Sequence, residues 1–173
     1  MRVLLGLCLL CSACTDKADA ESGVERIVER IRADHALHAF GGRLLGTDRG
    51  EWIGRLLFEN DEGGLETILR ENVHGIVENR AGVFAFTGLL HLQTNVGFIY
   101  RIDLTRNLDV NATRLGRLPG APFDVTPHAD GITTFLVAGR YDPKGRRIYD
   151  CYELAGQAVR HSYRCAPPSA ATF

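Results

Sequence analysis

Apolar and polar positions change period along the chain, and the change marks its first internal boundary. Val24, Ile27, Val28 and Ile31 recur at helical spacing, with Glu25, Arg26, Glu29, Arg30 and Arg32 on the other side, and Ser22 with Glu25 forms a capping box ahead of them. This predicts a helix from Gly23 to Asp34, within a helical segment bounded at 23–38. From Phe40 onward the apolar runs are short, as in Val83-Phe84-Ala85-Phe86, Phe98-Ile99-Tyr100 and Ile132 to Val137, and they alternate with Gly, Asn, Asp and Pro. Such punctuation predicts an all-β body over 39–173. Gly82 to Phe86 carries no polar side chain, which suits a strand covered on both faces.

The β body repeats itself. Gly42-Arg43-Leu44-Leu45, Gly82-Val83-Phe84-Ala85 and Gly131-Ile132-Thr133-Thr134 each open a strand after a turn, at intervals of 40 and 49 residues. A second strand follows each at Gly54 to Glu59, Gly97 to Leu104 and Arg147 to Leu154, and a third at Leu65 to Arg70, Thr113 to Leu118 and Ala158 to Tyr163. Units two and three also have an earlier strand, at His74 to Glu78 and Phe123 to Pro127. Spacing and strand order over residues 40–165 resemble those of β-propeller repeat proteins, without any Trp-Asp blade ending. The resemblance implies about three four-stranded blades, fewer than the roughly four to eight that close a ring. The blades would then form an open arc, or a half ring that pairs with a second copy as a homodimer. A sandwich or small barrel of about ten to twelve strands is the competing architecture.

At the N-terminus, Met1-Arg2 precedes the apolar run Val3 to Cys11, well short of the ~20 residues of a spanning helix, so 1–13 reads as an export signal. Leu10-Cys11-Ser12-Ala13-Cys14 resembles the lipobox of bacterial lipoproteins, with Cys11 where that family usually carries an aliphatic residue. The resemblance implies lipidation of Cys14, a short tether over 14–22, and a periplasm-facing protein of the bacterial cell envelope that meets membrane only through its anchor. The leader also accounts for Cys8, Cys11 and Cys14 without a metal.

Charge and composition then narrow the function. The 20 Lys and Arg residues against 21 Asp and Glu residues create no field for a polyanion, so no nucleic-acid partner is expected. No nucleophile elbow, phosphate loop, dinucleotide fingerprint or zinc-protease motif occurs, and neither a cofactor nor a catalytic set is expected. His35 and His38 fall on one face of the expected helix end near Asp34, where a solvated terminus explains them better than a metal. Asn107, Asp109 and Asn111 alternate like a calcium loop, yet Ala112 and Leu118 stand where Gly and Glu are needed, which favours a hairpin connection.

Cys151 and Cys165 are an expected disulfide pair in an exported protein. With Ala155-Gly156 as a two-residue turn, however, Cys151 faces Arg160, ~16 Å from Cys165 at ~3.3 Å per residue. A longer turn, a tail folding back after Tyr163, or two separate thiols would each reconcile this.

Propeller topology brings the loops between second and third strands, and those between blades, to one face. They hold Asp48, Arg49, Glu51, Trp52, His74, His91 and Asp142, the residues expected to form a binding site. In the opposing expectation Trp52 packs inward and its neighbours pair locally as a turn. The favoured function is a non-catalytic binding or scaffolding lipoprotein for an envelope protein, peptide or glycan. A hydrolase using the loop carboxylates and histidines, and a structural half-propeller that dimerises, are the alternatives.

Overall fold

The computed structural model of the protein describes residues 32–165. Cys14, the leader, the tether and most of the expected helix lie outside them. Twelve strands follow: β1 (His35–Ala39), β2 (Gly42–Thr47), β3 (Arg55–Asn60), β4 (Leu65–Leu69), β5 (Val73–Asn79), β6 (Gly82–His91), β7 (Thr94–Leu104), β8 (Val110–Leu118), β9 (Pro122–Pro127), β10 (Ile132–Tyr141), β11 (Arg147–Ala155) and β12 (Ala158–His161). They form three four-stranded antiparallel sheets, each in sequence order, β1-β2-β3-β4, β5-β6-β7-β8 and β9-β10-β11-β12. These are three propeller-like blades that do not close a ring, in place of a sandwich or barrel.

The helical segment does not extend to 38. Arg32 to Asp34 have no helical structure and His35–Ala39 is a strand, paired with β2 from His35↔Gly46 to Ala39↔Gly42. Leu37 packs into the core while Ala36 and His38 are exposed, a period of two that tertiary pairing with β2 selects. His35 and His38, three apart on a strand, therefore point to opposite sides. β1 also supplies the first unit with the earliest strand that its sequence did not announce. Residues 105–109 form the expected hairpin connection, with the Asp109 amide donating to Thr105 Oγ1 at 3.1 Å and the Thr105 amide to the Asp109 carbonyl at 2.8 Å.

The blades meet through β5, which lies against β1 and β2 of the first blade and β9 of the third. Two glycines permit the approach. A Cβ on Gly46 would sit 2.6 Å from Val73 Cγ1, and one on Gly75 would sit 2.6 Å from Val125 Cβ, so neither position accepts a side chain without separating the blades.

The core has two halves, and the middle blade belongs to both. Leu44, Leu56 and Phe58 of the first blade pack against Val83, Ala85, Tyr100 and Ile102 of the second. Phe84, Phe86 and Ile99, on the opposite face of that same blade, pack against Phe135, Val137 and Leu154 of the third. β6 thus sends alternate side chains into two cores, and Val83 to Phe86 are each 4% exposed or less.

Cys151 and Cys165 are disulfide-bonded, with Cα atoms 5.8 Å apart. The turn residues are Gly156 and Gln157, since Ala155 pairs with Ala158 and Tyr152 with His161. The turn thus lies one residue beyond that expected from the sequence, which puts Ser162 in place of Arg160 opposite Cys151, and the Ser162 amide reaches the Cys151 carbonyl at 3.0 Å. After Ser162 the chain folds back: the Arg164 amide donates to Ser162 Oγ at 3.2 Å and the Arg164 guanidinium to Asp130 Oδ2 at 2.8 Å, which brings Cys165 over Cys151. Buried Glu153 anchors the fold-back by accepting from Ser162 Oγ at 2.8 Å and Arg160 Nε at 2.6 Å, and these bonds hold its carboxyl below the usual range.

Replacing Phe84 by Ala should destabilise the protein by about 3–5 kcal/mol in chemical denaturation, because the ring is fully enclosed between blades. A loss under ~1 kcal/mol would contradict the two-sided burial of β6.

Candidate functional site

The connections between second and third strands are residues 48–54, Leu92-Gln93 and residues 142–146, and together with the inter-blade links at 70–72 and 119–121 they occupy one end of the sheets. The first of them holds a single 3-10 turn at Gly50–Trp52. Asn72, buried between β4 and β5, fixes this turn. Its Oδ1 accepts from the amides of Arg49 at 3.0 Å and Gly54 at 2.5 Å, its Nδ2 donates to the Gly50 carbonyl at 2.6 Å, and its own carbonyl accepts from the Gly88 amide at 3.0 Å. One side chain thereby ties the turn of blade one to blade two.

On that frame most of the expected residues meet. Asp48 Oδ1 accepts from the Gly50 amide at 2.9 Å, and Asp48 Oδ2 lies 3.4 Å from His74 Nδ1. The other His74 ring nitrogen faces the Gly88 carbonyl at 3.2 Å. The Arg49 guanidinium reaches Asp34 Oδ2 at 3.1 Å, and the same oxygen accepts from the Asp48 amide at 2.8 Å. Glu51 Oε2 lies 3.1 Å from His91 Nε2, which joins the 3-10 turn to the β6–β7 hairpin. His35, beside this group, is held below the usual imidazole range by burial, with Asp34 opposing the shift and His74 adding to it.

Two of the expected residues stand differently. Trp52 does not pack inward, being 81% exposed on the 3-10 turn. Asp142 is occupied within its own hairpin: it accepts from the amides of Lys144 and Arg146 and from Arg146 Nε, each at 2.8 Å. The Arg146 amide leads these bonds in holding the carboxyl below its ordinary range. Asp142 is therefore a turn-former, and its neighbour Tyr141 faces the site in its place.

A cleft of about 550 Å³ runs between the second and third blades, lined by Leu90, His91, Leu92, Tyr141, Arg147 and Tyr149. The Arg147 guanidinium lies 4.2 Å over the Tyr141 ring, donates to the Tyr141 hydroxyl, and donates to the Gly139 carbonyl at 3.1 Å. An aromatic row of Tyr149, Phe123 and His74, with centroids 5.8 and 5.5 Å apart, runs from the cleft to the Asp48 pair. Around the rim Ile53 and Leu92 are 58% and 88% exposed, and Tyr141 is 59% exposed. Ile53 and Leu92 also have φ of 57° and 50°, where side chains are strained.

A second cavity, of about 190 Å³, lies behind the turn between Ile53, Glu71, Asn72, Leu89, Val96 and Phe98. Glu71 is held there by Thr87 Oγ1 at 2.5 Å and the Tyr100 hydroxyl at 2.7 Å, both of which donate to its carboxylate. Burial first and the Glu71 carboxylate second push the Tyr100 hydroxyl up to about 12. Among the described residues no group of three His, Cys, Asp or Glu side chains could hold a metal ion. Sequence reasoning missed Asn72, Glu71, Tyr141, Arg147 and Tyr149. Tyr141, beside Asp142, and Glu71-Asn72, beside His74, stood in the polar loops that supplied the expected set.

No protein-family model, curated protein or solved structure matches the chain.

Two outcomes follow from this geometry. Asn72→Ala should cost about 1–3 kcal/mol, since it strips partners from buried backbone groups, and should raise amide exchange at Gly54 at least about tenfold. Unchanged exchange there would contradict the clamp. Tyr100 should ionise last or nearly so among the tyrosines when followed by near-ultraviolet absorbance, and Tyr100→Phe should remove that step. Because the folded state holds this proton more tightly than the unfolded chain, whose tyrosines ionise near ~10, the linked stability is complete below that pH. It is lost as pH rises through about 12. If Tyr100→Phe instead removed a step at the ordinary tyrosine pH, the assignment would be contradicted.

Proposed function

We propose that the protein is a lipoprotein of the bacterial cell envelope, anchored through Cys14, whose loop rim binds an envelope protein, peptide or glycan without catalysing a reaction. The observation that carries this reading is the exposed apolar rim of Trp52, Ile53, Leu92 and Tyr141. Folding alone does not call for it: a two-residue hairpin turn with positive φ at its first residue, as at Leu92-Gln93, is met best by Gly there, and a bulky residue held at positive φ costs of order 1–3 kcal/mol. Large apolar side chains placed in water on strained backbone are what a contact surface requires and what a plain turn avoids. Trp and Tyr at such a rim, with Arg147 beside them, are also the residue types that dominate interface energetics.

The imidazole–carboxylate pairs Glu51–His91 and Asp48–His74 favour a second reading, acid–base chemistry on an envelope substrate. A photo-crosslinking amino acid at position 92 of the full chain, expressed in the bacterial envelope, separates the two. Binding predicts a discrete adduct from position 92 and none from position 62 in the β3–β4 turn at the other end of the sheets. Trp52→Ala should weaken the adduct by at least about fivefold. His91→Gln should leave it within about twofold, whereas turnover would make it accumulate. Equal labelling from both positions would contradict a rim-specific binder. Cys14→Ser should abolish both membrane association and the adduct, and an unchanged membrane-bound protein that keeps its Met1 terminus would contradict the anchor.

A further inference from the structure

The cleft between the second and third blades holds one cation whose bonding capacity is only partly used. A guanidinium carries five N–H donors. That of Arg147 spends one on the Gly139 carbonyl and one on the Tyr141 hydroxyl, and no carboxylate among the described residues lies within ion-pair distance of it. Nearby charges are paired: Arg49 with Asp34, Arg146 with Asp142, and Glu51 with His91. Stacking on Tyr141 and the bond to Gly139 fix the guanidinium plane before any ligand arrives. The walls around it are Leu90, Leu92 and Tyr149.

We infer that Arg147 receives a carboxylate borne on an apolar or aromatic body, the carboxylate taking the remaining N–H donors and the body lying against Leu90, Leu92 and Tyr149. A planar guanidinium matches a planar carboxylate through two parallel hydrogen bonds. A phosphate dianion fits less well, because the cleft offers it a single uncommitted cation with Glu51 nearby. At about 550 Å³ the cleft lies within the ~300–1,000 Å³ of small-ligand sites, which suits one or two residues of a peptide ending in a free carboxylate, or a free aromatic acid. This inference rests on the binding reading of the rim and names the chemistry recognised there.

Calorimetric titration of the full chain tests it with N-acetyl-phenylalanine, its amide, the tripeptide acetyl-Ala-Ala-Phe and the tripeptide amide. Each acid should bind at least about tenfold more tightly than its amide. A tighter tripeptide than single residue would identify a peptide C-terminus as the source, and equal affinities a free organic acid. Arg147→Gln should erase the acid preference while retaining the melting temperature, and Arg147→Lys should restore it only in part. Tyr149→Ala should weaken acid and amide alike. Acid and amide binding equally would overturn the inference, as would a tenfold preference that survives Arg147→Gln or the binding of none of the four probes. The binding reading itself would fall only if, in addition, the adduct from position 92 lost its dependence on position and on Trp52.

Discussion

β6 is covered on both faces, and the remainder of the molecule depends on that. Val83 and Ala85 face the first blade while Phe84 and Phe86 face the third, so one strand is the inner wall of two cores at once. A single four-stranded sheet of this size has no interior of its own. It becomes stable when neighbours bury its faces, as in other repeat architectures. The middle blade satisfies this on both sides, and the outer blades through it. Gly46 on β2 and Gly75 on β5 let neighbouring blades approach closely, against Val73 and Val125 respectively.

Stacking blades in this way also gathers their loops. At each junction of the rim one asparagine uses both atoms of its amide. Asn72 bridges the 3-10 turn of blade one to the link into blade two. Asn95, at the start of β7, donates to the Ala138 carbonyl at 2.8 Å and accepts from the Ala121 amide at 2.8 Å, joining blade two to blade three. Buried backbone groups at strand ends need partners, and a short side chain with one donor and one acceptor group satisfies two chains at once. The rim is consequently rigid in its frame while its outermost side chains, Trp52, Leu92 and Tyr141, remain in solvent. An ordered base beneath exposed apolar groups lowers the entropy lost on binding.

Local pattern made the strands legible. Alternation, turn residues and the repeating Gly-led openings placed eleven of the twelve strands, because those signals act over a few neighbouring residues. β1 was concealed because His35-Ala36-Leu37-His38-Ala39 directly follows a helical pattern and offers one large apolar residue, and only pairing with β2 makes it extended. The disulfide was expected, but its geometry turned on a hairpin turn placed one residue later and on a tail fold-back set by Ser162, Glu153 and Asp130. Most of the rim residues were named for their chemistry, whereas Asn72 and Arg147 were not, since their roles come from partners remote in sequence or across a hairpin bulge. Asp142, also named there, is a polar loop residue whose carboxylate accepts from amides of its own turn.

Hydrogen exchange resolved by residue in the full chain tests the two-sided middle blade most directly. If β6 is the shared wall of both cores, amides from Val83 to Thr87 open only with global unfolding and exchange at least about a hundredfold more slowly than those of Val159 to His161 on the outer edge of blade three. Exchange of the two segments at similar rates would mean that β6 is no more central than an edge strand, and would contradict the account of how the blades hold together.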